Sequence, residues 1–378
     1  MNGLPTRLAK MAGSRMKSWF PTTSYPLIVS APMDFVTNPK LATEVTKAGG
    51  LGFIQGGRDF APESPVLKKL DDQLSQARAH LGLEKSAEDS STHLPIGVAF
   101  VTYAASTAHF GRTAVPILRR YRPAAVWLFA PSPGAPDTIR DAIASLKSNP
   151  SASSASASSD AWTPKVVVQV GSVAAARDAA KHGADIIVAQ GVDAGGHQWA
   201  SGAGIVSLVP EIADVLRDEF PDKEIAVWAA GGIADGRGVA AALALGAEGA
   251  VMGTRYMVTT ESDAQDFKRK AILSTSDGGA NTVKSQLHDH IQGNTSWPDV
   301  YDGRAIVTPT YEDYAAGVPL DENTKRFKAA KEEGDLSRMV TWSGTGVGLI
   351  REELPAADIT KRVREGALKA IAGLKSSL

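Results

Sequence analysis

The sequence predicts an α/β (β/α)8 TIM barrel with an added helical subdomain inserted after the eighth strand. Short apolar runs recur eight times with helical stretches between them, the pattern of strand–helix units wound round one core. The runs are unbroken rather than alternating, as strands covered on both faces require. The last two runs end in glycine-rich strings, Trp228-Ala-Ala-Gly-Gly-Ile233 and Val251-Met-Gly-Thr-Arg255. An open doubly wound sheet is the competing fold.

The first strand reads as Leu27–Ser30, closed by Ala31-Pro32-Met33, with a helix near 39–48 that stops at Gly49-Gly50. Leu51–Ile54 is the second. Val66, Leu67, Leu70, Leu74 and Ala77 then mark a helix over 64–82 by their spacing. Ile96–Phe100, Ala125–Phe129, Val166–Val170 and Ile186–Ala189 follow, the last after a helix that stops at Gly183. Ile225–Ala229 and Gly249–Met252 complete the set. Residues 1–257 plus 356–378 are assigned to the barrel, with the final helix packing back as its eighth. Residues 258–355 are assigned to a substrate or lid subdomain, being too long for a loop. The Ser/Ala tract 148–160 has nothing to bury and reads as a surface loop.

With 40 basic and 41 acidic residues in 378, no basic field for nucleic acid arises. The absence of cysteine excludes disulfides, thiolate catalysis and Cys-bound metals. No apolar run approaches the ~20 residues that span a bilayer. Residues 1–33 hold Arg7, Lys10, Arg15 and Lys17 and no acid. This start reads as an exposed first helix, with an organelle-targeting peptide as the alternative. The expected location is the cytoplasm, and the oligomeric state stays open, a homodimer included.

The two glycine strings place side-chain-poor backbone at the C-terminal ends of the last two barrel strands. Backbone there can hold a phosphate, helped by the N-terminus of the next helix. After the sixth strand comes Gln190-Gly-Val-Asp-Ala-Gly-Gly-His197. It reads as a rim loop that wraps a planar ligand and aims one imidazole at it, suited to proton transfer near neutral pH. Gln169 and Gln190 end strands and can serve either a heterocycle or the backbone. His288 and His290 lack further ligands at metal-site spacing. His182 suits a helix end, and His80, His93 and His109 read as surface or packing residues. Gly344-Thr-Gly-Val-Gly348 lacks the preceding strand and following acid of a dinucleotide motif.

Taken together, Ser30-Ala-Pro-Met33, Lys47-Ala-Gly-Gly-Leu-Gly-Phe53, Gln169-Val-Gly-Ser172, Ala189 to His197, Ala230-Gly-Gly-Ile-Ala-Asp-Gly-Arg-Gly238 and Met252-Gly-Thr-Arg255 resemble the ordered motifs of nitronate monooxygenases. Asp277 to Lys284, Tyr301-Asp-Gly-Arg304 and Val340 to Gly346 resemble the subgroup with a long C-terminal extension. The resemblance implies an FMN enzyme that converts nitronates, and neutral nitroalkanes, with O2 to carbonyl compounds and nitrite, without a nicotinamide cofactor. It implies His197 as catalytic base. Pro32, Met33, Gln169, Gln190 and Gly196 would lie beside the flavin. Gly231, Gly232, Gly253 and Thr254 would hold its phosphate. Some members carry Asn at the end of the third strand, where this chain has Gly97-Val-Ala-Phe100, and some carry Lys in place of Gln169. The rivals are a flavin-dependent NAD(P)H enoyl reductase of similar fold, a flavin-free barrel binding a phosphorylated metabolite, and a flavin-storing protein without turnover.

Overall fold

A computed structural model describes residues 13–83, 93–135, 137–148 and 162–377. Nearly all of the Ser/Ala tract lies outside these, as do Arg7 and Lys10 of the targeting alternative. Eight parallel strands form the sheet: β1 (Leu27–Ser30), β2 (Phe53–Gln55), β3 (Leu94–Val101), β4 (Pro123–Phe129), β5 (Lys165–Val170), β6 (Ile186–Gln190), β8 (Ala226–Ala230) and β9 (Gly249–Met252). A further strand, β7 (Gly196–Trp199), lies between β6 and β8 in the chain but outside this sheet. The order is β1-β9-β8-β6-β5-β4-β3-β2. A parallel bridge between Val29 and Leu51 joins β1 to the approach of β2 and closes the ring. An open sheet is thereby excluded.

Alternation within each strand separates two apolar layers. Leu27, Val29, Phe53, Trp127, Val167, Val188, Trp228 and Val251 point inward and fill the barrel. Ile28, Ile54, Val126, Val168, Ile187, Val227 and Ala250 point outward and meet the helices. Local chemistry sets where those helices begin. Asn38 caps Pro39–Lys47 by accepting from Leu41 N at 2.9 Å, and Ser172 caps Val173–His182 at 3.2 Å. The latter ends at Gly183, in the left-handed region with φ 97°.

The expected first helix is present and exposed along one side, but its other side faces the barrel floor. Residues 13–19 are helical, and Met16 and Phe20 are buried beneath the barrel, with Phe20 against Trp228. Arg15 grips Glu248 with two bonds of 3.0 and 2.7 Å at the foot of β9. The last helix, Ala356–Ser377, packs through Ala356, Ile359, Val363 and Ala367 into the outer layer, as expected.

Gly52 marks the tightest approach of sheet and helix. A Cβ there would stand 1.9 Å from Ala42 O, a backbone atom that cannot swing away. Gly52→Ala is expected to cost ~2–3 kcal/mol as overpacking, lowering the thermal midpoint by roughly 2–4 °C in a chain of this length. An unchanged midpoint would show that the helix Pro39–Lys47 shifts freely.

Residues 258–355 contain helices, among them Asp266–Ser274, Pro309–Ala315 and Leu320–Glu333. They also contain strands β10 (Thr282–Ser285) and β11 (Tyr301–Ile306), which sequence periodicity did not disclose. These form an antiparallel sheet in the order β10-β11-β7. Thr-Val-Lys-Ser is too short and polar to read as a strand alone; its identity comes from its partner. The segment is thus stitched to the barrel through β7.

Candidate active site

The C-terminal ends of the barrel strands open into one cavity of about 620 Å³. Pro32 and Met33 reach it from the turn after β1, Gln169 and Gln190 from β5 and β6. Gly196 and His197 come from β7, and Gly231, Gly232, Gly253 and Thr254 from the turns after β8 and β9. Residues separated by more than two hundred positions are thereby brought to a single space.

His197 lies on a strand, not in a loop as the glycines before it suggested. Its backbone stands opposite Gly303 of β11. The turn that delivers it, 191–195, is pinned from both sides. Gly191 N donates to Ala230 O at 2.9 Å, Thr345 N donates to Asp193 O at 3.0 Å, and Arg304 Nε donates to Val192 O at 3.1 Å. The imidazole stacks on Trp297 with centroids 3.8 Å apart and planes 10° from parallel, and Trp342 lies 4.9 Å away. Its Nε2 is 2.8 Å from Asp289 Oδ2. A Cβ at Gly303 would meet Trp342 at 2.3 Å, so this glycine is what lets the indole approach. All three neighbours belong to the extension, and sequence reading missed them. Asp289 lies between His288 and His290, but its partner is 92 residues away.

The two glutamines are complementary. Trp127 Nε1 donates to Gln169 Oε1 at 3.0 Å, so Gln169 retains its NH2 to offer a ligand. Gln190 Nε2 donates to His197 O at 3.2 Å, and its Oε1 is buried without a partner. One is set to donate and the other to accept, as a heterocycle carrying both N–H and carbonyl groups needs.

The glycines after β8 turn the chain with φ of 113° at Gly231 and 71° at Gly232. A Cβ at Gly231 would lie 2.8 Å from Gly191 O. At Gly253 it would meet only Ala31 and Met33, at 3.8 Å, leaving an open cradle. The helix after β9, Thr254–Met257, is a single turn and adds little dipole. Its Arg255 turns away to donate to Val258 O and Glu352 O, and burial lowers its pKa. The string 344–348 is no dinucleotide motif. It starts a short 3-10 helix whose Gly344 N donates to Thr254 Oγ1 at 3.0 Å, and Gly344 and Gly346 join the cavity wall.

The remaining histidines stay outside the chemistry. His288 is buried and its Nε2 donates to Val283 O; burial pushes its pKa down. His182 sits beside Asp178 at its helix end. No group of His, Asp and Glu suited to a metal ion occurs among the described residues. No described helix is long and apolar enough to cross a membrane.

The family model for nitronate monooxygenase matches residues 137–366. A nitronate monooxygenase from Neurospora crassa is 50% identical over 373 residues, 96% of this chain and 94% of that one. The chain belongs to the nitronate monooxygenase family. It is therefore an enzyme of an oxidoreductase family. FabK from Thermotoga maritima shares the fold with a TM-score of 0.68 and 25% identity, over 96% of this chain and 99% of that one. A nitroalkane oxidase from Streptomyces ansochromogenes does so with a TM-score of 0.67 and 24% identity, over 95% and 99% of the two chains. That last likeness is one of architecture. The family match, by contrast, runs through the very turns that build the cavity, from Gln169 to Gly344.

Proposed function

We propose that this chain is an FMN-dependent monooxygenase that oxidises alkyl nitronates, and neutral nitroalkanes, with O2 to carbonyl compounds and nitrite. The observation that carries the reading is a held imidazole, His197, in the same cavity as an open glycine cradle. FMN fits the residues present. Gly231, Gly232, Gly253 and Thr254 would hold its phosphate, where a Cβ at Gly253 would occupy otherwise open room. Gln169 and the orphaned Oε1 of Gln190 would satisfy donor and acceptor groups of its ring, with Pro32, Met33 and Gly196 beside it. When bound, the flavin supplies the electron transfer that the side chains cannot.

The side chains supply position and proton transfer. His197 removes the α-proton of a neutral nitroalkane, whereas a preformed nitronate needs no base. Trp297 and Trp342 cover the ring and keep water from competing for the proton. The 258–355 segment acts as the substrate wall over the rim, since it contributes both indoles.

Oxygen uptake with propyl-2-nitronate, a nitroalkane and NADPH, each offered alone, tests the reading. Uptake with the nitro compounds and none with NADPH is expected. Rapid anaerobic bleaching of the flavin by NADPH would instead identify an NAD(P)H-dependent reductase. Bound flavin without turnover of either nitro compound would leave a storage protein.

A further inference from the structure

We propose that Asp289 is the positioning residue of the base, selecting which nitrogen of His197 carries the proton and stabilising the imidazolium once the substrate proton is taken. The inference rests on the base role of His197 proposed above.

A carboxylate only accepts hydrogen bonds. The 2.8 Å contact between Nε2 and Asp289 Oδ2 therefore places the imidazole proton on Nε2 and the lone pair on Nδ1. The carboxylate is itself held. Its second oxygen accepts from Asn294 Nδ2 at 3.1 Å, and Asn294 N donates to Asp289 O at 3.0 Å. Side-chain exposure is 7% for Asp289 and 17% for His197, so water competes weakly for the pair. The ring is also stacked face to face on Trp297, which limits its tilt. Neither flanking histidine takes part: His288 is committed to Val283 O, and His290 is exposed.

The proton balance follows. The substrate's α-C–H bond breaks, an N–H bond forms at Nδ1, and the electron pair moves onto the nitro oxygens to give the nitronate. The ring becomes a cation beside an anion already in place, so the charge created by deprotonation is met without rearrangement.

The test uses the flavin-loaded enzyme with nitroethane and with ethyl nitronate. Asp289→Asn is expected to lower the nitroalkane-to-nitronate rate ratio by on the order of 10²-fold, mainly in kcat rather than KM. Asp289→Glu, which keeps the charge, is expected to recover most of the ratio and covers the case in which the asparagine variant folds poorly. On a His197→Asn background, Asp289→Asn is expected to change the ratio no further, since it acts through a ring no longer present. A ratio lowered by His197→Asn but untouched by Asp289→Asn would overturn the proposal. So would independent losses that multiply in the double variant. A ratio unchanged in His197→Asn would instead remove the base role itself, and this inference with it.

Discussion

Gly253→Val is expected to yield a folded protein that purifies without yellow colour. The residue has φ −100°, outside the left-handed region, so a side chain there meets no such backbone penalty. Its Cβ would find only ordinary contacts at 3.8 Å with Ala31 and Met33. The valine methyls would then stand in the space proposed for the phosphate. Overpacking of this kind costs ~1–3 kcal/mol, which becomes a loss of roughly 10- to 10²-fold in cofactor affinity. Gly232→Val should be colourless too, but for two reasons at once. Its φ of 71° strains any β-branched residue, and its Cβ would press to 3.1 Å from Asp193. Visible absorbance together with circular dichroism separates the two cases. Full flavin content in both variants would put the phosphate somewhere else.

The second large effect concerns the imidazole. His197→Asn is expected to lower turnover of neutral nitroalkanes by at least ~10²-fold, the scale on which a positioned general base contributes. Preformed nitronates should lose much less, because their α-proton is already gone. Asparagine retains a polar side chain at the same place on β7, and the strand itself is secured by backbone pairing with β11. The comparison therefore isolates proton transfer from folding. Steady-state rates on both substrates decide it: equal losses would mean that His197 shapes the pocket and does not act as base.

The two cases differ in how far the sequence could reach. The glycines proposed to hold the phosphate sit next to the strands that carry them. An apolar run followed by Gly231-Gly232 or Gly253-Thr254 announces its own geometry, because local backbone freedom is what a cradle needs. The ten residues singled out as site candidates reach one cavity for the same reason: each follows a barrel strand directly or ends one, apart from the pair on β7. The partners of His197 are different in kind. Asp289 and Trp297 are ordinary residues of a polar stretch with no periodicity of their own, and they meet the imidazole only after β11 folds antiparallel onto β7. The apolar side of the first helix, through which Met16 is buried, was missed on similar grounds. Arg15 reads as a surface cation until Glu248, 233 residues on, lies beneath it.

Sequence alone determined the barrel, its eight strands and the glycine turns, because period, length and backbone freedom are properties of neighbouring residues. Tertiary structure alone decided that His197 stands on a strand, which carboxylate faces its ring, which indoles enclose it, and that Gly344 and Gly346 help wall the cavity. Those contacts depend on long-range strand register. A register is chosen by the summed packing of whole elements, and no single segment carries that information.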